Sequence, residues 1–139
     1  MAHACVRRAV LCHQGTRYLA CGISEVVTHP VFRRWGYASE LLCCALRFMV
    51  DRKADLCIFT CEKDRTSLYT GNGWTEAPSG VLVGGARKNP FRSDRLGLVT
   101  LVRFLSEKSR QCCERFSHRD IYMELGEITL ADRLCVWQG

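Results

Sequence analysis

Apolar and polar positions along the first half of the chain follow two periods that predict its secondary structure. Residues 4–11 and 18–28 are rich in β-branched and small apolar side chains around Gly15, which predicts a β-hairpin. In residues 38–53 the apolar side chains recur at helical spacing and the charged ones fall elsewhere on the wheel, which predicts an amphipathic helix. Residues 56–60 form a short apolar run, typical of a strand covered on both faces.

The second half of the chain carries shorter signals. Asp64 is expected to be the N-cap of a short helix over residues 65–70. Residues 81–83 and 120–125 predict two further strands. Apolar side chains between positions 98 and 116 trace a helical face, which favours a helix over a strand there.

Composition narrows the class of protein. The chain has 139 residues, of which 47% are hydrophobic and 24% charged, as in an ordinary folded domain. A net charge of +6 suits an anionic ligand and equally suits a basic surface with no ligand. The basic residues are scattered and form no known nucleic-acid motif, so we expect no nucleic-acid partner. No apolar run is long enough to predict a membrane span.

The ten cysteines are expected to be reduced thiols. They form no CxxC pair, and the N-terminal residues lack the continuous apolar core of a signal peptide, so we expect a cytoplasmic protein. A zinc site built from Cys57, Cys61 and a distant His is the alternative, but the usual ligand spacing is missing. We therefore expect no metal.

The chemistry of the chain concentrates in residues 24–42. A β-branched run ends at Pro30, a basic turn follows, and the amphipathic helix begins after it. A helix N-terminus offers unpaired N–H groups and a partial positive charge to a phosphate. Gly36 would let the backbone approach such a ligand, while Arg33 and Arg34 add permanent charge. This order of elements predicts a phosphate site.

The same residues carry a family resemblance. Arg33, Gly36 and Ala38 match the R/Q-x-x-G-x-G/A signature of the GNAT superfamily of acyl-CoA-dependent N-acyltransferases. The surrounding order is similar too: a strand, the signature, a helix, a strand, a short helix that carries Tyr69, and then a Gly-Trp pair. The chain resembles a GNAT protein over this region, and the likeness fades beyond Trp74.

The resemblance implies an α/β (α+β) fold with a mixed, mostly antiparallel sheet flanked by helices. The family's first strand and first helices have no counterpart here, so the resemblance is to an N-terminally shortened member. We expect one domain over residues 1–139, with a GNAT-like core over 4–85 and a helix and strand elaboration over 94–139. The missing elements would leave the edge of the first strand exposed, which favours a homodimer.

The resemblance also implies transfer of an acetyl group from acetyl-CoA to a primary amine by direct attack, with two strands splayed around the pantetheine. Glu25 corresponds to the general base and Tyr69 to the acid that protonates the departing thiolate. Strand alternation would place Glu25, Val27 and His29 on one face. Nine residues are expected to bind the cofactor: Val26, Val27, Thr28, Arg33, Arg34, Trp35, Gly36, Tyr37 and Ala38.

Alternatives remain for each assignment. Glu25 can equally be a surface carboxylate paired with an arginine, and the Tyr69 ring can simply pack. Cys57 or Cys61 as a nucleophile is a further chemical variant, although neither has a histidine close in sequence. A non-catalytic acyl-CoA-binding or interaction module competes with the enzyme, and a nucleic-acid-binding domain is a third hypothesis. The acceptor, a small molecule or a peptide amine, is open.

Overall fold

The computed structural model describes residues 2–28, 36–84, 91–124 and 133–138. The strands within them are β1 (Ala2–His13), β2 (Thr16–Thr28), β3 (Leu56–Cys61), β4 (Thr75–Glu76), β5 (Val81–Gly84), β6 (Phe91–Arg92), β7 (Val99–Phe104), β8 (Asp120–Glu124) and β9 (Arg133–Gln138). The α-helices are α1 (Tyr37–Asp51), α2 (Thr66–Thr70) and α3 (Glu107–Gln111). Short 3₁₀ turns occupy Lys63–Arg65, Ser93–Leu96 and Cys113–Phe116. No helix in these ranges is long and apolar enough to cross a membrane.

The strands form one mixed sheet around the predicted hairpin of β1 and β2. The order across the sheet is β4-β7-β3-β2-β1-β8-β5-β6, and β9 also pairs with β1. The β2–β3 and β5–β8 pairs are parallel, whereas the other pairs are antiparallel. The predicted fold class, a mixed and mostly antiparallel sheet flanked by helices, is confirmed.

The outer edge of β1 is covered by the chain itself. β9 pairs with Ala2–Arg7 of β1, and β8 pairs with Val10 and Leu11 further along the same edge. The homodimer expectation rested on this edge being exposed. Intramolecular pairing satisfies the strand's backbone groups, so that expectation loses its reason.

The helix expected from the apolar residues between 98 and 116 is wrong for its first half. Those residues form β7, which pairs antiparallel with β3 along its whole length. Leu101 is buried in the core on one face of the sheet and Val102 in the core on the other. A strand covered on both faces loses the alternation that distinguishes it from a helix, which explains the error. Only α3 and the 3₁₀ turn that follows it are helical.

Asp64 is not the N-cap of the short helix. It lies inside the 3₁₀ turn Lys63–Arg65, and α2 begins after it with no side-chain cap. The chain enters α2 through a hydrogen bond from the Arg65 N–H to the Glu62 carbonyl, so backbone geometry takes the place of a side-chain cap. The predicted glycine-rich end is correct: Gly73 has φ +98, and the Trp74 N–H returns to the Tyr69 carbonyl at 3.1 Å.

Hydrophobic side chains pack on both faces of the sheet. Successive residues of β3 alternate between the two cores, as its pleat requires. The apolar stripe of α1, with Leu42, Ala45 and Met49 buried, covers one face and confirms the predicted amphipathic helix. The other face packs around Phe116, whose ring meets Tyr18 edge-on at 5.6 Å. The two cores hold the central strands from both sides.

Asp55, the residue before β3, is bonded to β2 and to the segment that begins α3. Its carboxylate accepts the Leu19 N–H at 2.8 Å and lies 3.2 Å from the Lys108 ammonium. Its carbonyl accepts the Ser106 N–H at 2.9 Å and the Ser109 hydroxyl at 2.6 Å. Burial alone would raise the pKa of Asp55, but these donors hold it below its usual range. The ionised carboxylate therefore stabilises the start of β3.

We expect Asp55→Ala to lower the free energy of unfolding by about 1–3 kcal/mol at neutral pH, because it removes the carboxylate that pairs with the Leu19 N–H and the Lys108 ammonium. Because the folded pKa is lowered, this contribution is present above the unfolded value near about pH 4 and is lost as pH falls through the folded value. Urea denaturation at both ends of that range measures it, with the exposed Glu62→Gln as control. A deficit that stays undiminished in acid would contradict this assignment.

Candidate functional site

The parallel strands β2 and β3 pair for only two residues and then part. The register joins Ala20 to Leu56 and Cys21 to Cys57, although β2 continues to Thr28 and β3 to Cys61. A Cβ at Gly22 would stand 3.2 Å from the Ile58 carbonyl oxygen, so the glycine permits close approach at the point of parting. Beyond it, the register pairs no described residue of β2 with β3. The end of the pairing fits the splay that the resemblance implies.

A β-bulge interrupts β2 within the parted segment. Ser24 faces Cys5 of β1 and Val27 faces His3, so two residues of β2, Glu25 and Val26, stand opposite Ala4. Ser24 and Val27 therefore occupy the same face of the ladder, and the strict alternation expected for residues 24–28 is wrong across this point. Bulges of this kind re-aim a strand locally, which fits a site at this position.

The N-terminus of α1 begins at a glycine in the left-handed region. Gly36 has φ +80 and ψ 6, and its carbonyl accepts the first helical hydrogen bond from the Glu40 N–H at 3.1 Å. The N–H groups of residues 37–39 therefore precede the helical ladder. A Cβ built on Gly36 would meet no atom of the described residues within 4 Å.

These groups fit a phosphate-bearing cofactor with a polar arm. The helix end offers N–H donors and the positive end of a dipole. Beside the parted strands, the Ser24 hydroxyl is shielded from water and bonds to no other described group, which leaves it a hydrogen-bonding capacity for a ligand. Arg33, Arg34 and Trp35 lie outside the described residues, as does His29. For Glu25, Val26, Val27, Thr28 and Tyr37 the backbone alone is described.

Tyr69 lies on α2 and packs over β3. It is 5% exposed, and its ring meets Phe59 edge-on at 4.8 Å and Trp74 at 6.4 Å. Burial raises the pKa of Tyr69, the neighbouring Cys61 adds to the rise, and Arg65 opposes it. The phenol is therefore neutral at ordinary pH and retains a proton that it can donate. Packing and proton donation are compatible here, because the ring and the hydroxyl serve different purposes.

Asn72 connects the two helices of the site, a role that the sequence did not reveal. Its amide donates to the Leu68 carbonyl at 2.6 Å and to the Ser39 hydroxyl at 3.3 Å. Its backbone carbonyl accepts a hydrogen bond from the Arg103 guanidinium at 2.7 Å. An asparagine between two glycines reads as an ordinary turn residue, so one sequence carries no signal of these distant partners. Through them the N-terminus of α1 and the helix bearing Tyr69 lie side by side.

Three cysteines of the core, Cys21, Cys57 and Cys61, are called the core thiols here. Burial raises the pKa of Cys21 to about 11, a rise that Arg8 opposes. Burial likewise raises the pKa of Cys57 and of Cys61. Because the thiolate is the reactive form, these residues are poor nucleophiles. Within the described part of the chain, no cluster of three or more His, Cys, Asp or Glu side chains is arranged to hold a metal.

Solved structures with the same arrangement identify the fold. A chain of the NatC complex, crystallised with Gag peptide and CoA, is 17% identical, with a TM-score of 0.52 over 74% of this chain and 61% of that one. The GNAT family N-acetyltransferase YhbS from Escherichia coli, in complex with CoA, is 16% identical, with a TM-score of 0.53 over 88% of this chain and 59% of that one. The chain has the GNAT fold.

The order of elements from β1 to α2 is the one that the resemblance implied. The chain spans about three fifths of the length of the two GNAT-fold neighbours. No protein-family model and no curated protein matches the sequence. The fold therefore comes from the structural likeness, and the reaction and its residues have to be argued from the site.

Because their pKa values are raised, we expect the core thiols to resist alkylation by iodoacetamide at about pH 8 while Cys12, Cys43 and Cys113, which are exposed, react. Mass spectrometry of digested, labelled protein reports each site. All ten cysteines should react after unfolding in urea, which controls for reagent and digestion. Rapid labelling of any core thiol in the folded chain would restore a nucleophilic cysteine as a candidate.

Proposed function

We propose that this GNAT-fold chain is an N-acetyltransferase that uses acetyl-CoA and a primary amine. The observation that carries the proposal is the parting of β2 from β3 next to the open N-terminus of α1. The two GNAT-fold neighbours crystallised with CoA support a cofactor of this type. We also propose a single domain over residues 1–139 and a cytoplasmic location.

The cofactor would lie along the parted strands. N–H groups from Arg34 to Ala38 would hold the pyrophosphate, with Gly36 giving close approach and Arg33 adding charge. Backbone groups of residues 26–28 would bind the pantetheine arm and polarise the carbonyl. When bound, acetyl-CoA supplies the thioester whose acyl carbon the amine attacks.

Two side chains would move protons. Glu25 takes a proton from the acceptor amine, directly or through a water molecule, so that nitrogen presents a lone pair. Tyr69 donates its proton to the departing sulfur. A phenol of pKa about 10 is a weaker acid than a thiol of pKa about 8.5, so proton transfer to a free thiolate is uphill. The transfer would therefore accompany cleavage of the C–S bond, with the phenol held against the sulfur, and solvent would afterwards return a proton to the phenolate. Burial raises the Tyr69 pKa, which keeps the phenol protonated and makes it a weaker acid. The poor reactivity of the core thiols favours direct transfer.

The acceptor is a peptide amine in the version of the proposal that we would test first. The NatC neighbour was crystallised with both a peptide and CoA, which supports this class. Small-molecule amines form the comparison set. A chain that binds CoA and acetylates no member of either set would instead be a binding module of the same fold.

Gly36→Ala and Gly15→Ala make a matched pair, because both glycines have φ +80 and neither has an atom of the described residues within 4 Å of a built Cβ. Each substitution should cost about 1–2 kcal/mol of stability, since each forces a side chain into the left-handed region. Only Gly36→Ala should weaken CoA binding, because its Cβ enters the space that the phosphates need. Calorimetric titration of the reduced protein with CoA measures this effect.

The Arg33→Ala, Gly36→Glu double variant should abolish CoA binding altogether, since it removes a positive charge and adds a negative one at the phosphate site. Absence of CoA binding by the native chain would reject the proposed function. Equal weakening in Gly15→Ala and Gly36→Ala would show that the helix start is not the phosphate site.

Tyr69→Phe should lower kcat about a hundredfold and leave the CoA affinity within about twofold, because it removes one proton and no packing surface. The control is Tyr122→Phe, since Tyr122 is 61% exposed. With the Tyr69 pKa raised, its deprotonation should not reduce the native rate below about pH 10. An unchanged rate in Tyr69→Phe would remove this residue from the mechanism.

A further inference from the structure

The turn after α2 is bonded to three separate elements through one residue. The Asn72 amide donates to the Leu68 carbonyl within α2 and to the Ser39 hydroxyl in the first turn of α1. The Asn72 backbone carbonyl accepts a hydrogen bond from the guanidinium of Arg103 on β7. An asparagine amide has two N–H donors, and here each has its own acceptor, so the residue type is matched to the contact.

The two ends of this connection are the two parts of the proposed site. Ser39 sits in the turn of α1 that precedes its hydrogen-bond ladder, where the phosphates would bind. On the other side, the Tyr69 carbonyl accepts the N–H groups of Asn72 at 3.0 Å and of Trp74 at 3.1 Å. Asn72 therefore contacts both ends, the start of α1 through its side chain and Tyr69 through its backbone N–H.

The helix that carries Tyr69 needs an external brace. With five residues, α2 is too short to hold its own position by helix formation alone. Its contacts with Phe59 and Trp74 fix the ring against β3, and all three residues share one hydrophobic core with the buried side of α1. The 3.3 Å hydrogen bond between Asn72 and Ser39 adds a directional polar contact between the turn after α2 and the first turn of α1.

Arg103 holds the brace from the opposite side. It lies on β7, opposite Cys57 of the central strand, and its guanidinium is 5.2 Å from the centre of the Trp74 ring. A Cβ on Gly73 would collide with this guanidinium, so the glycine makes room for it. The turn is thus anchored to the rigid sheet while its amide reaches α1.

We propose that Asn72 is a positioning residue that sets the spacing between the N-terminus of α1 and Tyr69. The role rests on the proposed function, because it matters for catalysis only if the cofactor spans those two points. Displacement of a reacting group by about an ångström is enough to slow a reaction severely. Loss of the brace should therefore affect both cofactor binding and turnover.

The first test needs no cofactor. Hydrogen exchange followed by mass spectrometry compares residues 36–44 and 66–72 in the native chain, Asn72→Ala and Ser39→Ala. Asn72→Ala should speed exchange in α1, and Ser39→Ala should speed exchange in α2, although neither substitution lies in the helix affected. Thr70→Ala is the matched control, since the Thr70 hydroxyl bonds only to carbonyls of α2 among described residues. It should alter α2 alone.

The second test uses CoA and the acetyl transfer assay. Asn72→Ala and Ser39→Ala should each weaken CoA affinity and lower kcat by about threefold to tenfold, and the double variant should be no worse than Asn72→Ala alone, because one hydrogen bond is shared. Asn72→Asp should restore at most the Ser39 contact, because the hydroxyl can donate to a carboxylate whereas the Leu68 carbonyl loses its donor. Thr70→Ala should keep native affinity and rate.

The outcomes separate the two proposals. If neither helix responds to substitution in the other, the brace does not exist and the inference is overturned, whatever CoA does. If exchange is coupled but affinity and kcat in Ser39→Ala and Asn72→Ala stay native, the contact is structural and the positioning role is overturned. If the native chain binds no CoA, the proposed function and the positioning role both fail, while coupled exchange would still establish the contact.

Discussion

The whole arrangement depends on holding two parallel strands together at one end and apart at the other. Two residue pairs between β2 and β3 are the entire ladder, so pairing alone supplies little of the stability of this junction. The remainder comes from neighbours. β1 pairs with β2 on its other side, and β7 pairs with β3. The two hydrophobic cores cover both faces of the sheet. A site that needs unpaired backbone groups can exist here because the surrounding sheet offsets the free energy lost when those groups go without a hydrogen bond.

The same logic explains why Asp55 stands at the closed end of the junction. Asp55 directly precedes β3, and its carboxylate accepts the Leu19 N–H of β2. The same carboxylate forms an ion pair with Lys108, which follows β7. Where the strands touch, Gly22 allows the approach and Asp55 fixes it. Once past Gly22, the bulge at Glu25 and Val26 turns the chain of β2. The closed and the open parts of the junction therefore depend on different residues, Gly22 and Asp55 at one and the bulge of β2 at the other.

Local signals predicted the first half of the fold well and the second half poorly. The hairpin at Gly15 and helix α1 follow from turn chemistry and helical periodicity, and the family signature gave their order. β7 was not predicted as a strand because Leu101 and Val102 are buried on opposite faces of the sheet, so its sequence lacks the alternation of apolar and polar residues. The pairing of β1 with β8 and β9 was not predicted because it joins residues far apart in sequence.

In the candidate site, too, some residues could be predicted from local sequence and others could not. Gly36 at the head of α1 was found from its position in a motif, and its backbone angle agrees with that position. The bulge beside Glu25 broke an alternation argument that assumed a regular strand. Asn72 carried no signal, because its partners on α1 and β7 become neighbours only when the sheet assembles. Residues in motifs are visible in one sequence, whereas residues that join motifs are not.

Desolvation links the core to the chemistry of the site. Burial raises the pKa of Cys21 to about 11, so only about one molecule in ten thousand would carry that thiolate at neutral pH. The same burial raises the pKa of Tyr69 and keeps its proton in place. A covalent route through a core thiol is disfavoured by the environment that favours a neutral tyrosine donor. The proposed direct transfer would ask the protein only to position groups and to move protons, and a neutral buried tyrosine would meet the second requirement.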